Sequence, residues 1–212
     1  SIGNYVFSSS GLESIDLSAM TVTSLGNNVF QNTSSLASVK LPATLTSIGS
    51  DAFNGATKLA TLKLPTTGLT SIGDRAFQGA FTGDSALKTL ALPSSVTSIG
   101  QSAFQSSGLT SIDLANTQVT TIQNSTFNGA ASLATVKLPA TVTSIGDSAF
   151  QGTTNLATLT QKEANSGSER ADEPTNKLSS SINSIGSSAF RQTGLENISL
   201  KTTKVTGADG DT

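Results

Sequence analysis

Apolar residues in this chain recur in short runs separated by Ser- and Thr-rich segments, with no long amphipathic stretch. Phenylalanine stands at Phe7, Phe30, Phe53, Phe77, Phe104, Phe127, Phe150 and Phe190, and most of the steps between them are 23 or 24 residues. Five residues before each one sits Ile2, Leu25, Ile48, Ile72, Ile99, Ile122, Ile145 or Ile185. After the phenylalanine comes a leucine, for example Leu36 or Leu133, and then an alternating run such as Val39-Lys40-Leu41-Pro42. There Val39 and Leu41 face one way while Ser38 and Lys40 face the other. A period of two over so short a run, closed by Pro, predicts a strand. Each unit ends on Leu45-Thr46-Ser47-Ile48 or its equivalent, and the pattern restarts. A period this short predicts a β-rich repeat solenoid of about eight 23-residue units over 1–212, in which no coil buries its apolar edge without its neighbours.

The spacing compensates within a unit. Some coils have four residues between Phe and Leu and four between the strand and the next apolar anchor, as in Phe7 to Leu12 and Leu17 to Val22. Others have five and three, as in Phe30 to Leu36 and Leu41 to Leu45. Stacking demands this, because slack at one corner must be removed at the next. Gly follows the Ile position in every unit except at Gln123. That corner needs either positive φ or close backbone approach. Two insertions interrupt the period. The segment between Phe77 and Leu87 is expected to be a longer loop with Phe81 tucked against the coil. Residues 161–181 are rich in charge and nearly free of apolar side chains, which predicts a mobile insertion. The pattern fades after Val205, where Ala208 stands in the Ile slot. The chain is therefore expected to be a fragment of a longer array.

The stretch Leu133-x-x-Val136-x-Leu138-Pro139-x-x-Val142-Thr143-Ser144-Ile145-Gly146-x-x-Ala149-Phe150 resembles the BspA-like leucine-rich repeat, and the resemblance extends over nearly the whole chain. It implies a right-handed leucine-rich-repeat coil with a parallel β-sheet on one face and short strands and turns on the other. It also implies a cell-surface or secreted setting of adhesin type and no catalytic residues. Many units of that family carry Cys where this chain has Ala56, Ala80, Ala130 and Thr153, a departure from its commonest subtype.

Composition narrows function. With no His and no Cys, neither the Ser-His-Asp and Cys-His arrangements nor the usual zinc sites can be built. A net charge of −2 and a pI near 5.0 give no footprint for nucleic acid. No run of 18 apolar residues exists for membrane insertion, and no cofactor or metal is expected. Acidic clusters at Glu169, Asp172 and Glu173, and at Asp209 and Asp211, lack calcium-loop spacing. Leu64-Pro65-Thr66-Thr67-Gly68 fits a sortase anchoring pattern but aligns with the strand-ending Leu41-Pro42 of the repeat. Charged residues make up only 12% of the chain, and 34 Ser and 31 Thr leave its surface polar but nearly uncharged.

The outward strand positions form two rows, and these are the candidate protein-binding residues. One holds Ser14, Ser38, Thr61, Thr89, Ser111, Thr135, Thr158 and Asn197. The other holds Asp16, Lys40, Lys63, Ala91, Asp113, Lys137, Thr160 and Ser199. They are also what a solvated sheet face would carry, with Asp16–Lys40 and Asp113–Lys137 as neighbouring ion pairs. Absence of Trp, Tyr and Arg makes any contact there weak or multivalent. Two readings stay open: an extracellular module, monomeric or weakly self-associating, that binds a host-matrix or cell-surface protein, and a passive stalk that displays another domain.

Overall fold

Alternating runs become strands here because each buries one apolar row while its outward row stays wet. The computed structural model describes residues 1–162, 176–200 and 206–207, and within them the chain winds as a parallel β-solenoid of about eight coils with no helix. The first face carries β1 (Ser14–Asp16), β3 (Ser38–Lys40), β5 (Thr61–Lys63), β7 (Thr89–Ala91), β9 (Ser111–Asp113), β11 (Thr135–Leu138), β13 (Thr158–Gln161), β14 (Lys177–Leu178) and β16 (Ser199–Leu200). The second carries β2 (Ser24–Leu25), β4 (Ser47–Ile48), β6 (Ser71–Ile72), β8 (Ser98–Ile99), β10 (Thr121–Ile122), β12 (Ser144–Ile145), β15 (Ser184–Ile185) and β17 (Thr206–Gly207). All their pairings are parallel, one coil against the next.

The third side is made of turns that carry the phenylalanines. The N–H groups of Asn28, Phe30 and Asn32 donate to the carbonyls of Ser50, Ala52 and Asn54 at 2.8, 2.8 and 2.7 Å, and the same pattern repeats along the stack. Phe30, Phe53, Phe77, Phe104, Phe127 and Phe150 are fully buried. From Phe7 to Phe190 the eight rings form one continuous stack with successive centroids 5.1 to 5.7 Å apart. Phe81 is also fully buried and lies on Phe77 at 5.6 Å, as expected.

Each turn passes twice through the left-handed region, two residues before the phenylalanine and two after it. The first slot holds Tyr5, Asn28, Asp51, Arg75, Ser102, Ser125, Ser148 and Ser188. The second holds Gly in four coils but Ser9, Asn32, Ser106 and Gln192 in the others. A side chain there costs on the order of 1 kcal/mol or more. Ser106→Gly should therefore raise stability by about 1 kcal/mol, read as a higher urea midpoint with an unchanged slope; a lower midpoint would refute this.

The glycine after Ile follows a different rule. A Cβ on Gly49 would lie 2.5 Å from the Gly26 carbonyl oxygen, on Gly73 2.6 Å from the Ser50 amide, and on Gly100 2.5 Å from the Asp74 amide. None of these three has positive φ, so close approach of backbones is the requirement. Where Gln123 breaks the row, β8 and β10 do not pair and the second face divides into two sheets. Gln123→Gly should close that division. Amide exchange at position 123 should then slow by roughly tenfold relative to an unstructured glycine, the effect of one added hydrogen bond; unprotected exchange would assign the break to another cause.

The first face also divides, between β5 and β7. The insertion after Phe77 sits at this rung. Its ends are bonded into the coil below, Gly83 N–H to Thr57 O at 2.9 Å and Leu87 N–H to Leu59 O at 3.0 Å.

At both ends of the 161–181 segment, expected to be a mobile insertion, the described residues belong to the coils. Gln161 closes β13, is buried, and donates to the carbonyls of Pro139 and Val142 at 3.2 and 2.8 Å while its Oε1 accepts the Ser179 N–H at 2.9 Å. Lys177 pairs with Thr160, and Leu178 is fully buried. The spacing Leu178-x3-Ile182-x2-Ile185 repeats Leu41-x3-Leu45-x2-Ile48, so this coil adds two strands to the first face. Residues 163–175 lie outside the described residues. At the far end Gly207, not Ala208, stands opposite Ile185.

Candidate functional site

Strand register fixes the outward rows. In one, Ser14, Ser38 and Thr61 are consecutive neighbours, and beyond the β5–β7 division Thr89, Ser111, Thr135 and Thr158 continue. In the other, Asp16, Lys40 and Lys63 are consecutive, then Ala91, Asp113, Lys137 and Thr160. Next comes Lys177, a residue the repeat count passed over, and only then Ser199. β14 separates Asn197 from Thr158; in that coil Asn176 is buried and its Oδ1 accepts the Leu159 N–H at 2.8 Å.

The ion pairs form along the second row. Lys40 Nζ lies 2.9 Å from Asp16 Oδ2, and Lys137 Nζ 3.7 Å from Asp113 Oδ2. Both pairs are solvent-exposed, and such pairs contribute little to stability. Asp16 also accepts hydrogen bonds from the Ser18 hydroxyl and the Ser18 N–H. The Ser18 hydroxyl first, and Lys40 second, hold its carboxyl well below the usual carboxylate range. A depressed folded pKa means that the contribution is present above the unfolded value of about 3.8 and is lost as pH falls toward the folded one. An NMR titration should find Asp16 still ionised at a pH where ordinary aspartates are half protonated, and Ser18→Ala should move it upward; an ordinary pKa would contradict the contact. Lys63 has no ion-pair partner among the described residues.

The turn side carries a second polar cluster that the repeat pattern did not single out. Asp51 is buried and takes two bonds from Arg75, Nε to Oδ1 at 3.0 Å and Nη2 to Oδ2 at 2.8 Å. Asn54 Nδ2 donates to Asp51 Oδ1 and Gln78 Oε1, and Gln78 Nε2 donates to Gln105 Oε1. Hydrogen bonding to Asp51 raises the Arg75 pKa further. Its members satisfy one another, so the cluster ties three coils together. The one visible signal was the recurring Asn or Gln after Phe.

No group of three or more acidic side chains converges among the described residues. The acidic clusters at Glu169, Asp172, Glu173, Asp209 and Asp211 lie outside them. No helix among the described residues is long and apolar enough to cross a membrane. The strand face carries a ladder of hydroxyls with acidic and basic groups at coil spacing.

Known proteins agree with this geometry. The chain matches the BspA type leucine rich repeat region over residues 1–80, 78–169 and 174–208. A leucine-rich repeat protein of T. pallidum (TpLRR) is 32% identical over 75% of this chain and 72% of its own, with a TM-score of 0.63. A leucine-rich repeat protein from Bacteroides ovatus has a TM-score of 0.70 at 24% identity, covering 93% of this chain, which spans 46% of that protein's chain. The pneumococcal vaccine antigen PcpA shares the fold at 18% identity and a TM-score of 0.53, covering 97% of this chain and 67% of its own. None of the curated proteins matches. The repeat, the coil geometry and these matches together place the chain in the BspA-type leucine-rich repeat family.

Proposed function

We propose that this chain is a non-enzymatic protein-binding module of adhesin type, displayed extracellularly at a cell surface and contacting a host-matrix or partner-cell protein through its strand face. The observation that carries the reading is the register. It holds Asp16, Lys40 and Lys63, and then Asp113, Lys137 and Lys177, in one row beside a row of hydroxyls. Repetition lets one weak contact recur along the stack, which suits multivalent recognition. Family membership supports it, as does the shared fold of PcpA, itself described as a vaccine antigen.

The competing reading is a passive spacer, favoured by the lack of Trp, Tyr and Arg among the described outward residues of this face. A panel of purified extracellular matrix and cell-surface proteins, probed with the 1–212 chain alone and as a tethered multimer, separates the two. Binding that strengthens with valency and is lost on reversing Lys40 and Lys137 to Glu supports recognition by this face. No binding by either form across the panel leaves the spacer.

A further inference from the structure

The division between β5 and β7 leaves two strand edges facing each other with no ladder between them. The coils are joined on both sides of the opening. Leu87 N–H bonds Leu59 O before it, and Thr97 N–H bonds Thr70 O at 2.9 Å after it. The opening is therefore a closed-ended gap in an otherwise continuous sheet.

The backbone groups aimed into it follow from the bonds on the outer sides. Thr61 N–H donates to Ala37 O and Lys63 O accepts from Leu41 N–H, so residues 61 and 63 are turned toward β3. Residues 62 and 64 must then turn toward the gap, because direction alternates along a strand. On β7, Lys88 O accepts from Thr110 N–H and Leu92 N–H donates to Asp113 O, which turns 88 and 92 toward β9. Thr89 and Ala91 face the gap.

A hollow of about 450 Å³ lies over it, with Leu62, Leu64, Leu87, Leu90, Leu92 and Lys63 in its lining. Leu62, Leu64 and Leu87 are only half-buried, unlike their buried counterparts Val39, Leu41 and Leu59. The lining contains one cation, Lys63, and no carboxylate. Lys63 has no ion-pair partner among the described residues, whereas Lys40 beside it is held by Asp16. Unpaired main-chain donors and acceptors, an apolar floor and an unmatched positive charge together describe an acceptor for an extended peptide.

We propose that the gap between β5 and β7 is a strand-addition site, which takes an extended segment of a partner protein bearing a carboxylate opposite Lys63. The proposal rests on the protein-binding reading and deepens it. Backbone bonds to residues 62, 64, 89 and 91 hold the segment, apolar side chains settle over Leu62 and Leu64, and the Lys63 ammonium selects an acidic residue.

The test uses the whole 1–212 chain. Hydrogen exchange of the free protein comes first. The amides of Leu62, Leu64, Thr89 and Ala91 should exchange much faster than those of Val39 and Ile112; equal protection would mean the edges are already satisfied, and the proposal falls. A random octapeptide display library is then selected on the chain, and the enriched peptide is measured against variants. Acidic peptides should emerge and slow exchange at those four amides. Lys63→Glu should weaken them by about tenfold or more, and so should Ala91→Pro, which removes a donor that serves no ladder bond. Arg191→Glu, an exposed charge reversal in the Phe190 turn away from the strand face, should leave affinity unchanged. Absence of enriched peptides, or enriched peptides that leave the four amides unprotected, overturns strand addition. A matrix or cell-surface protein that still binds Ala91→Pro at full strength overturns it too while leaving the protein-binding reading intact.

Discussion

Phe77→Ala should destabilise the solenoid by about 4 kcal/mol, the upper part of the range for a buried aromatic. Its ring is fully buried and stacks on Phe53 and Phe104 at 5.3 Å each and on Phe81 at 5.6 Å, so truncation removes three ring contacts and opens a cavity at the centre of the stack. Phe7 is a natural comparison. It is only half-buried and stacks on Phe30 alone, and Phe7→Ala should cost less than half as much. Solenoid stability is a sum of coil terms and nearest-neighbour interfaces. Loss at Phe77 should also decouple the two halves and lower the slope of urea unfolding, whereas loss at Phe7 only frays an end. Equal costs at the two positions would mean the rings are not a coupled stack.

The second large effect is expected at Gly108. A Cβ there would lie 2.0 Å from the Phe81 carbonyl oxygen and 2.7 Å from the Thr82 Cα, both backbone atoms with little room to move. Gly108 N–H also bonds Ala80 O at 2.9 Å, so the coil cannot shift without breaking its own tie. Gly108→Ala should cost about 3 kcal/mol or more. Gly11→Ala, where nothing lies within 4 Å, should be close to neutral. Thermal unfolding of the two variants side by side checks this. A mild effect at Gly108 would mean that the insertion carrying Phe81 is not seated against the next coil.

Sequence periodicity exposed the parts of this fold that repeat identically. The 23-residue step placed every phenylalanine in the stack, and alternation in Val39-Lys40-Leu41 told which residues face out, because both depend on local spacing alone. What escaped depends on relations between coils. The glycine after Ile has two sufficient reasons in one coil; only stacking shows that Gly73 sits against the Ser50 backbone. The sheet divisions at β5–β7 and β8–β10 come from how an insertion and the single residue Gln123 fit against a neighbour. Lys177 and Leu178 were hidden for a compositional reason, since a short strand bordered by a charged segment carries too few apolar residues to stand out. Their pairing with Thr160 becomes visible only when Leu178 and Ile182 are aligned with Leu41 and Leu45. The expected order of outward strand positions matches the register up to Thr160 and shifts beyond it, for that reason.

Neighbouring coils in register are what the fold, the site and the gap all depend on, and the cysteine-free chain allows that to be measured cleanly. Thr135 and Thr158 lie opposite each other on adjacent coils, while Ser144 is nearer to Thr135 in sequence but belongs to the other face. With a short bifunctional thiol reagent, the double variant Thr135→Cys, Thr158→Cys should cross-link rapidly in the folded chain and the double variant Thr135→Cys, Ser144→Cys should not. Efficient linking of the second pair and none of the first would contradict the stacked-coil account.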